Sequence, residues 1–177
     1  MRALTACVMV ALFVCSMICL ALGVGYSLTY LLGLPPSLGL PVPLRALGLP
    51  IILLGGAILH WVFRYRRPVD ICTSSYVTLM RAVKARRSEV QQMRREPLIV
   101  RGPYRYTRNP MYFSAILLWI GSWIALDLTP LLVSTLFVLS VLYLIIIPLE
   151  EGELREIFGE QYEEYAKRVR KLIPFIL

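Results

Sequence analysis

The sequence predicts an all-α polytopic membrane protein: about four transmembrane helices, plus interfacial and C-terminal amphipathic helices. Three observations lead there. Of the 177 residues, 58% are hydrophobic and only 17% charged, whereas about a quarter of a soluble domain is charged. The apolar residues are gathered into four long runs rather than dispersed. The charge is segregated as well. Arg64 to Arg108 carries twelve Lys/Arg against three Asp/Glu, a net +9, while Glu150 to Leu177 carries five against seven. A basic segment beside apolar spans marks contact with an anionic membrane surface. No recognition motif accompanies the arginines, so nucleic acid is not an expected partner. The length suits a single domain covering residues 1–177.

The first apolar run, Ala3 to Leu32, has no charge and far exceeds the about 7–15 apolar residues of a secretory signal. It is read as a span over 4–32. A Pro/Gly loop from Gly33 to Pro43 follows, and then a second span over 44–63, with Pro50 in its first turns, where a missing N–H costs least. Spans over 111–126 and 131–149 come next. The short link Asp127-Leu128-Thr129-Pro130 makes them an antiparallel hairpin. Positive charge sets the orientation. The link from Arg64 to Arg108 is expected in the cytoplasm with both termini, leaving only Arg45 and Asp127 in the outer loops.

Two further segments have helical spacing without being spans. Tyr76, Leu79, Met80, Val83, Val90 and Met93 recur among Arg81, Lys84, Arg86, Arg87 and Arg94, which predicts an interfacial helix over 76–93. Leu154, Ile157, Phe158, Tyr162, Tyr165 and Val169 recur over 150–169, which predicts an amphipathic helix leaving the membrane, stopped by Pro174. Of the cysteines at 7, 15, 19 and 72, three lie in the first run and none forms a CxxC pair. Neither a metal site nor a disulfide framework is expected. His60, beside Trp61 near a span end, is read as a packed or interfacial histidine. Gly23, Gly25, Gly55, Gly56 and Gly121 are read as close helix contacts.

The residues best placed for chemistry run from Arg101 to Tyr112, RGPYRYTRNPMY, a Gly/Pro-punctuated loop entering the third span. Asn109 precedes a proline and should close the loop, with the helix starting at Pro110 or Met111. Free amides at that start favour an anion, and Tyr104, Tyr106 and Tyr112 offer faces to a planar or cationic ligand. A positive-inside anchor with an aromatic belt accounts for the arginines and tyrosines. It does not account for asparagine, glycine and prolines in the same place. Glu150-Glu151 closes the fourth span. Two carboxylates at a membrane boundary need water, a cation or a partner such as Arg108; they equally suit the solvated start of an acidic helix.

Arg101 to Tyr112 resembles the arginine–(histidine or asparagine)–proline–x–tyrosine signature of the isoprenylcysteine carboxyl methyltransferase and phospholipid methyltransferase family. The tail from Glu150 through Tyr165 to Pro174 resembles that family's ending. Together the matches cover about a third of the chain, in the family's order, flanking a two-span hairpin. The resemblance implies a membrane-embedded methyltransferase that uses S-adenosyl-L-methionine at the cytoplasmic face without a soluble Rossmann domain; no GxGxxG loop occurs here. Carried onto this chain, it assigns the cofactor to Pro97, Leu98 and Ile99, then Tyr104, then Asn109, Pro110, Met111 and Tyr112, and finally Glu150. Two departures concern the acceptor. Asn109 stands where the eukaryotic carboxyl methyltransferases have histidine. Ile146 stands where they carry an arginine for the substrate's carboxylate.

The expected reaction is methyl transfer to a lipid-like or amphiphilic acceptor entering from the bilayer. Glu151 is the nearest candidate base and Arg108 the nearest anion partner. A bacterial inner membrane is the expected setting, and the pattern names neither the acceptor atom nor the oligomeric state. The competing expectation is a non-catalytic membrane scaffold or carrier whose arginine loop grips anionic lipid.

Overall fold

The structure, a computed structural model, describes residues 2–71 and 97–173. The expected interfacial helix over 76–93 and Pro174 lie outside the described residues. Among the described residues the fold is helical throughout, apart from one isolated parallel bridge between Thr107 and Arg170. Helix α1 spans Arg2–Leu31, α2 Val42–Ala46 and α3 Gly48–Tyr65. After a short 3-10 turn at Gly102–Arg105 come α4, Pro110–Leu126, and α5, Thr129–Val141. A π-helical turn at Leu142–Ile146 joins α5 to α6, Ile147–Phe158, and α7 covers Glu160–Arg168. Among the described residues, three stretches are long and apolar enough to cross a bilayer: Val14–Leu31, Val42–Tyr65 and Thr129–Phe158. Helix α4 has 17 residues, about 26 Å at 1.5 Å per residue. Large side chains such as Leu12, Tyr30, Leu53, Leu136 and Leu144 point outward, as befits helices whose solvent is lipid. The molecule is an integral membrane protein.

Helix α1 packs along α5, and α3 along α4. Lipid tails supply no hydrophobic drive between helices, so close backbone approach over small residues does the packing. A Cβ on Gly25 would collide with the Pro130 carbonyl and the Ser134 side chain, and one on Gly121 would lie 2.9 Å from the Gly48 carbonyl. Gly55 meets the Ser114 carbonyl in the same way, at 3.0 Å. Two of the expected glycine contacts are corrected. A Cβ added to Gly23 or Gly56 would meet nothing within 4 Å, because both face away from the neighbouring helix.

At one end of the bundle the Pro/Gly loop is tied to the α4–α5 turn. Asp127 takes the left-handed conformation, φ 53°, that ends α4, a conformation open to a short polar side chain. Its carboxylate accepts the backbone N–H groups of Leu38 (3.2 Å) and Leu40 (2.9 Å). Thr129 N donates to the Pro36 carbonyl at 2.9 Å.

The opposite end departs from the regularity that the periodicity suggests. Pro148 has no N–H to give and its ring crowds the carbonyl four residues back; the π turn just before it absorbs both demands. Residues 150–169 form two helices rather than one, since Gly159, at φ 50° and ψ −126°, stops α6. That region is open to glycine and closed to side-chain-bearing residues. Beyond α7 the chain turns back. Leu172, 1% exposed, is buried with Ile116 of α4 and Ile147 of α6.

Candidate functional site

The loop before α4 owes its shape to local chemistry. Gly102 adopts φ 60° directly under the Tyr65 ring, where a Cβ would collide. Tyr106 packs near Trp61, ring centroids 6.0 Å apart. Asn109, at φ −125° and ψ 58°, is outside both the helical and the extended regions, and α4 begins at Pro110, whose missing N–H falls where no helical partner exists. The Asn109 side chain does not cap that helix. Its Nδ2 donates to the Lys171 carbonyl at 2.8 Å, and Arg108 N donates to the Arg170 carbonyl, also at 2.8 Å. Tyr165 Oη donates to the Tyr104 carbonyl at 2.7 Å. The returning tail is thus a strap across the loop.

Loop, strap and helix ends enclose a cleft with about 700 Å³ of empty space, open solvent included. Pro97, Leu98, Ile99, Tyr104, Arg108, Asn109, Pro110, Met111, Tyr112 and Glu150 all line it. Glu151 is not among the lining residues; its carboxylate, 5% exposed, faces Arg108. Sequence reasoning missed Arg66, Leu154, Phe158, Tyr162 and Tyr165 as wall residues. A signal existed for two of them. Glu150, Leu154 and Phe158 are spaced i, i+4, i+8 and share one helix face. Arg66 is one arginine among many, and the tyrosines reach the wall only because Gly159 redirects the chain.

Two polar links join the entry of α4 to the end of the α5–α6 rod. Tyr112 Oη donates to Glu150 Oε1 at 2.7 Å. Arg108 Nη1 lies 3.4 Å from Glu151 Oε1 in a nearly buried ion pair. Beside them the Tyr162 hydroxyl is sealed from solvent without a well-formed hydrogen bond, as are Arg108 Nε and Glu151 Oε1. Burial, with the Glu151 charge adding to it and the Arg108 charge opposing, pushes the Tyr162 hydroxyl up to about 12. Burial likewise raises Tyr165. Both phenols therefore keep their protons at neutral pH, and Tyr165 gives its proton to the Tyr104 carbonyl. Among the described residues no three His, Cys, Asp or Glu side chains converge as a metal ion would require.

The arrangement presents aromatic faces, a carboxylate and guanidinium groups around one cleft: a set suited to a ligand carrying a cation, an anion and a planar ring. Comparison with known proteins bears on which ligand. The phospholipid methyltransferase family matches residues 44–161. A probable protein-S-isoprenylcysteine O-methyltransferase of Oryza sativa subsp. indica is 33% identical over 123 residues, 66% of this chain and 64% of the relative. Protein-S-isoprenylcysteine O-methyltransferase B of Arabidopsis thaliana is 34% identical over 95 residues, 53% of this chain and 45% of the relative. A methanethiol S-methyltransferase of Crocosphaera subtropica is 37% identical over 73 residues, 41% of this chain and 28% of the relative. The chain thus spans less than two thirds of the length of these relatives. No solved structure matches.

Proposed function

Because the chain belongs to the phospholipid methyltransferase family, we propose that it moves a methyl group from S-adenosyl-L-methionine to a lipid-like or amphiphilic acceptor at the cytoplasmic face of the membrane. One observation carries this reading: the Tyr112–Glu150 hydrogen bond, 2.7 Å, which closes a single cleft between the first turn of α4 and the first turn of α6. The wall also suits the cofactor chemically. Tyr104, Phe158, Tyr162 and Tyr165 offer π faces to a sulfonium and an adenine, Glu150 offers charge to a cation, and Arg66 and Arg108 offer donors to a carboxylate. When bound, the cofactor supplies a methyl group already activated on a positive sulfur.

The protein's share is positioning and exclusion of water. Pro97, Leu98 and Ile99 cover one side of the cleft, Asn109, Pro110 and Met111 form its rim at the helix start, and Tyr112 holds the Glu150 carboxylate in place. Glu151 stands behind the wall, engaged by Arg108, so this reading assigns it to the arginine and not to an acceptor's proton. An acceptor that attacks through a carboxylate oxygen or a thiolate needs no base. The relatives' names include an O-methyltransferase of isoprenylcysteine and an S-methyltransferase of methanethiol, so oxygen and sulfur acceptors both occur among them. The +9 segment before α4 supports a cytoplasmic cleft.

Calorimetry in detergent tests the cofactor site. Wild type should bind S-adenosyl-L-methionine, and Tyr104→Ala and Glu150→Ala should each weaken binding at least about tenfold, the loss of about one charge-assisted contact. Radiolabelled cofactor incubated with native lipid extract should then label an extractable product. No binding and no label, together with anionic-lipid retention that falls with salt, would establish the carrier reading instead.

A further inference from the structure

The two links between α4 and α6 are not equivalent. Tyr112–Glu150 faces the cleft, whereas Arg108–Glu151 pairs a wall residue with a carboxylate behind the wall. They are coupled by covalent chain on both sides. Arg108 precedes Tyr112 by four residues through the rigid Pro110 start, and Glu151 is the residue after Glu150. The two links therefore share short stretches of backbone on both sides. The inner pair also has few alternatives: Arg108 is 12% and Glu151 6% exposed at the side chain, and neither can turn to water without unpacking the wall.

Resting on the methyl-transfer reading, we infer that Arg108 and Glu151 form a positioning pair: a buried brace that sets the Tyr112–Glu150 link, and through it the cofactor's place in the cleft. Glu151 is then a positioning residue and removes no proton. The π turn at Leu142–Ile146 fits this assignment. A turn with one added residue re-aims the helix beyond it, so the register that brings Glu150 to the cleft also turns Glu151 toward Arg108. Separately, the unmade hydrogen bonds of Arg108 Nε, Glu151 Oε1 and Tyr162 Oη carry a cost of the usual buried-polar kind. A brace justifies that cost by holding geometry, which a purely stabilising pair would not need to do.

The test separates affinity from turnover. Cofactor affinity is measured by calorimetry in detergent for wild type, Glu151→Gln, Arg108→Lys, Tyr112→Phe and the Glu151→Gln/Tyr112→Phe double variant. Transfer of labelled methyl to native lipid extract is then followed at saturating cofactor. Glu151→Gln should weaken cofactor binding about tenfold or more, as a misplaced contact does, yet keep transfer within a few-fold of wild type once saturated. Arg108→Lys, which keeps the charge, should lose less affinity than Glu151→Gln. The double variant should be hardly weaker than the worse single one, because both changes break the same link. Unchanged affinity in Glu151→Gln, or strictly additive losses, overturns the brace. Normal affinity with transfer down by more than about a hundredfold overturns it in favour of a general base. If Glu151→Gln does not fold, Glu151→Asp with Tyr112→Phe gives the same cycle. Failure of wild type to bind the cofactor at all would instead remove the methyl-transfer reading beneath it.

Discussion

The two ends of the helix bundle each bury an acidic residue, and they treat it in opposite ways. At the loop end, Asp127 is 5% exposed and its two carboxylate oxygens are met by the N–H groups of Leu38 and Leu40. At the cleft end, Glu151 is equally buried, yet its partner is a guanidinium nitrogen at 3.4 Å and its Oε1 lacks a well-formed hydrogen bond. Fixed backbone donors give the first end a finished knot. Side-chain partners leave the second end with a buried pair whose hydrogen bonds are incomplete. On the proposed reading, the first end spends its polar groups on holding the fold together and the second keeps them for a ligand.

Arg108→Met tests that contrast most severely. It leaves Glu151 charged and alone, which costs about 3–5 kcal/mol, and it should abolish measurable cofactor binding; thermal unfolding in detergent and calorimetry record the two losses. Asp127→Ala should follow, at about 3 kcal/mol for two charge-assisted bonds to backbone. Its cofactor affinity should stay within about twofold of wild type, a margin of about 0.4 kcal/mol. A large affinity loss there would mean the ends are coupled and the contrast is false.

Smaller effects sharpen the picture. Gly25→Ala should loosen the α1–α5 contact, because its methyl has no room beside Pro130 and Ser134, whereas Gly23→Ala, facing open space, should stay within about 0.5 kcal/mol of wild type. The last effect is one of pH, and it is confined to alkaline solution. Tyr162 ionises near 10 in the unfolded chain and at about 12 in the fold. The unfolded state loses the proton first, so this contribution is complete below pH 10 and declines as the pH rises from 10 to 12. Tyr162→Phe should flatten that part of a stability–pH curve; an unchanged slope would show that the hydroxyl is not held as described.

Much of this was legible because the relevant signals are local. Charge-free runs announce α1, α3 and the α5–α6 rod, Asp127 and Pro130 announce the hairpin, and Asn109-Pro110 announces the start of α4. The loop residues Tyr104 and Asn109 to Tyr112 stand out by their chemistry and share one cleft with Glu150. What escaped depends on interactions distant in sequence or on backbone geometry without a unique signature. Gly159 looks like any glycine within a helical pattern until its φ of 50° splits the tail. Pro148 reads as a helix disturbance without declaring that a π turn will absorb it. Leu172 is one apolar residue among many, and its burial against Ile116 requires the chain to fold back across the site. Gly23 and Gly56 failed as contacts because small size permits close approach without requiring it.

The strap that crosses the loop grips through main chain. Arg108 N and the Asn109 amide hold the carbonyls of Arg170 and Lys171, which every residue type carries. Apart from the Tyr165 hydroxyl on the Tyr104 carbonyl, the Lys171 ammonium resting 4.6 Å above the Tyr143 ring and Leu172 in its apolar socket, the fastening is indifferent to which side chains the tail presents. Those outward groups are at liberty to answer to the headgroups of whatever bilayer surrounds them, so a tail recoded for a different lipid surface would still button the site shut.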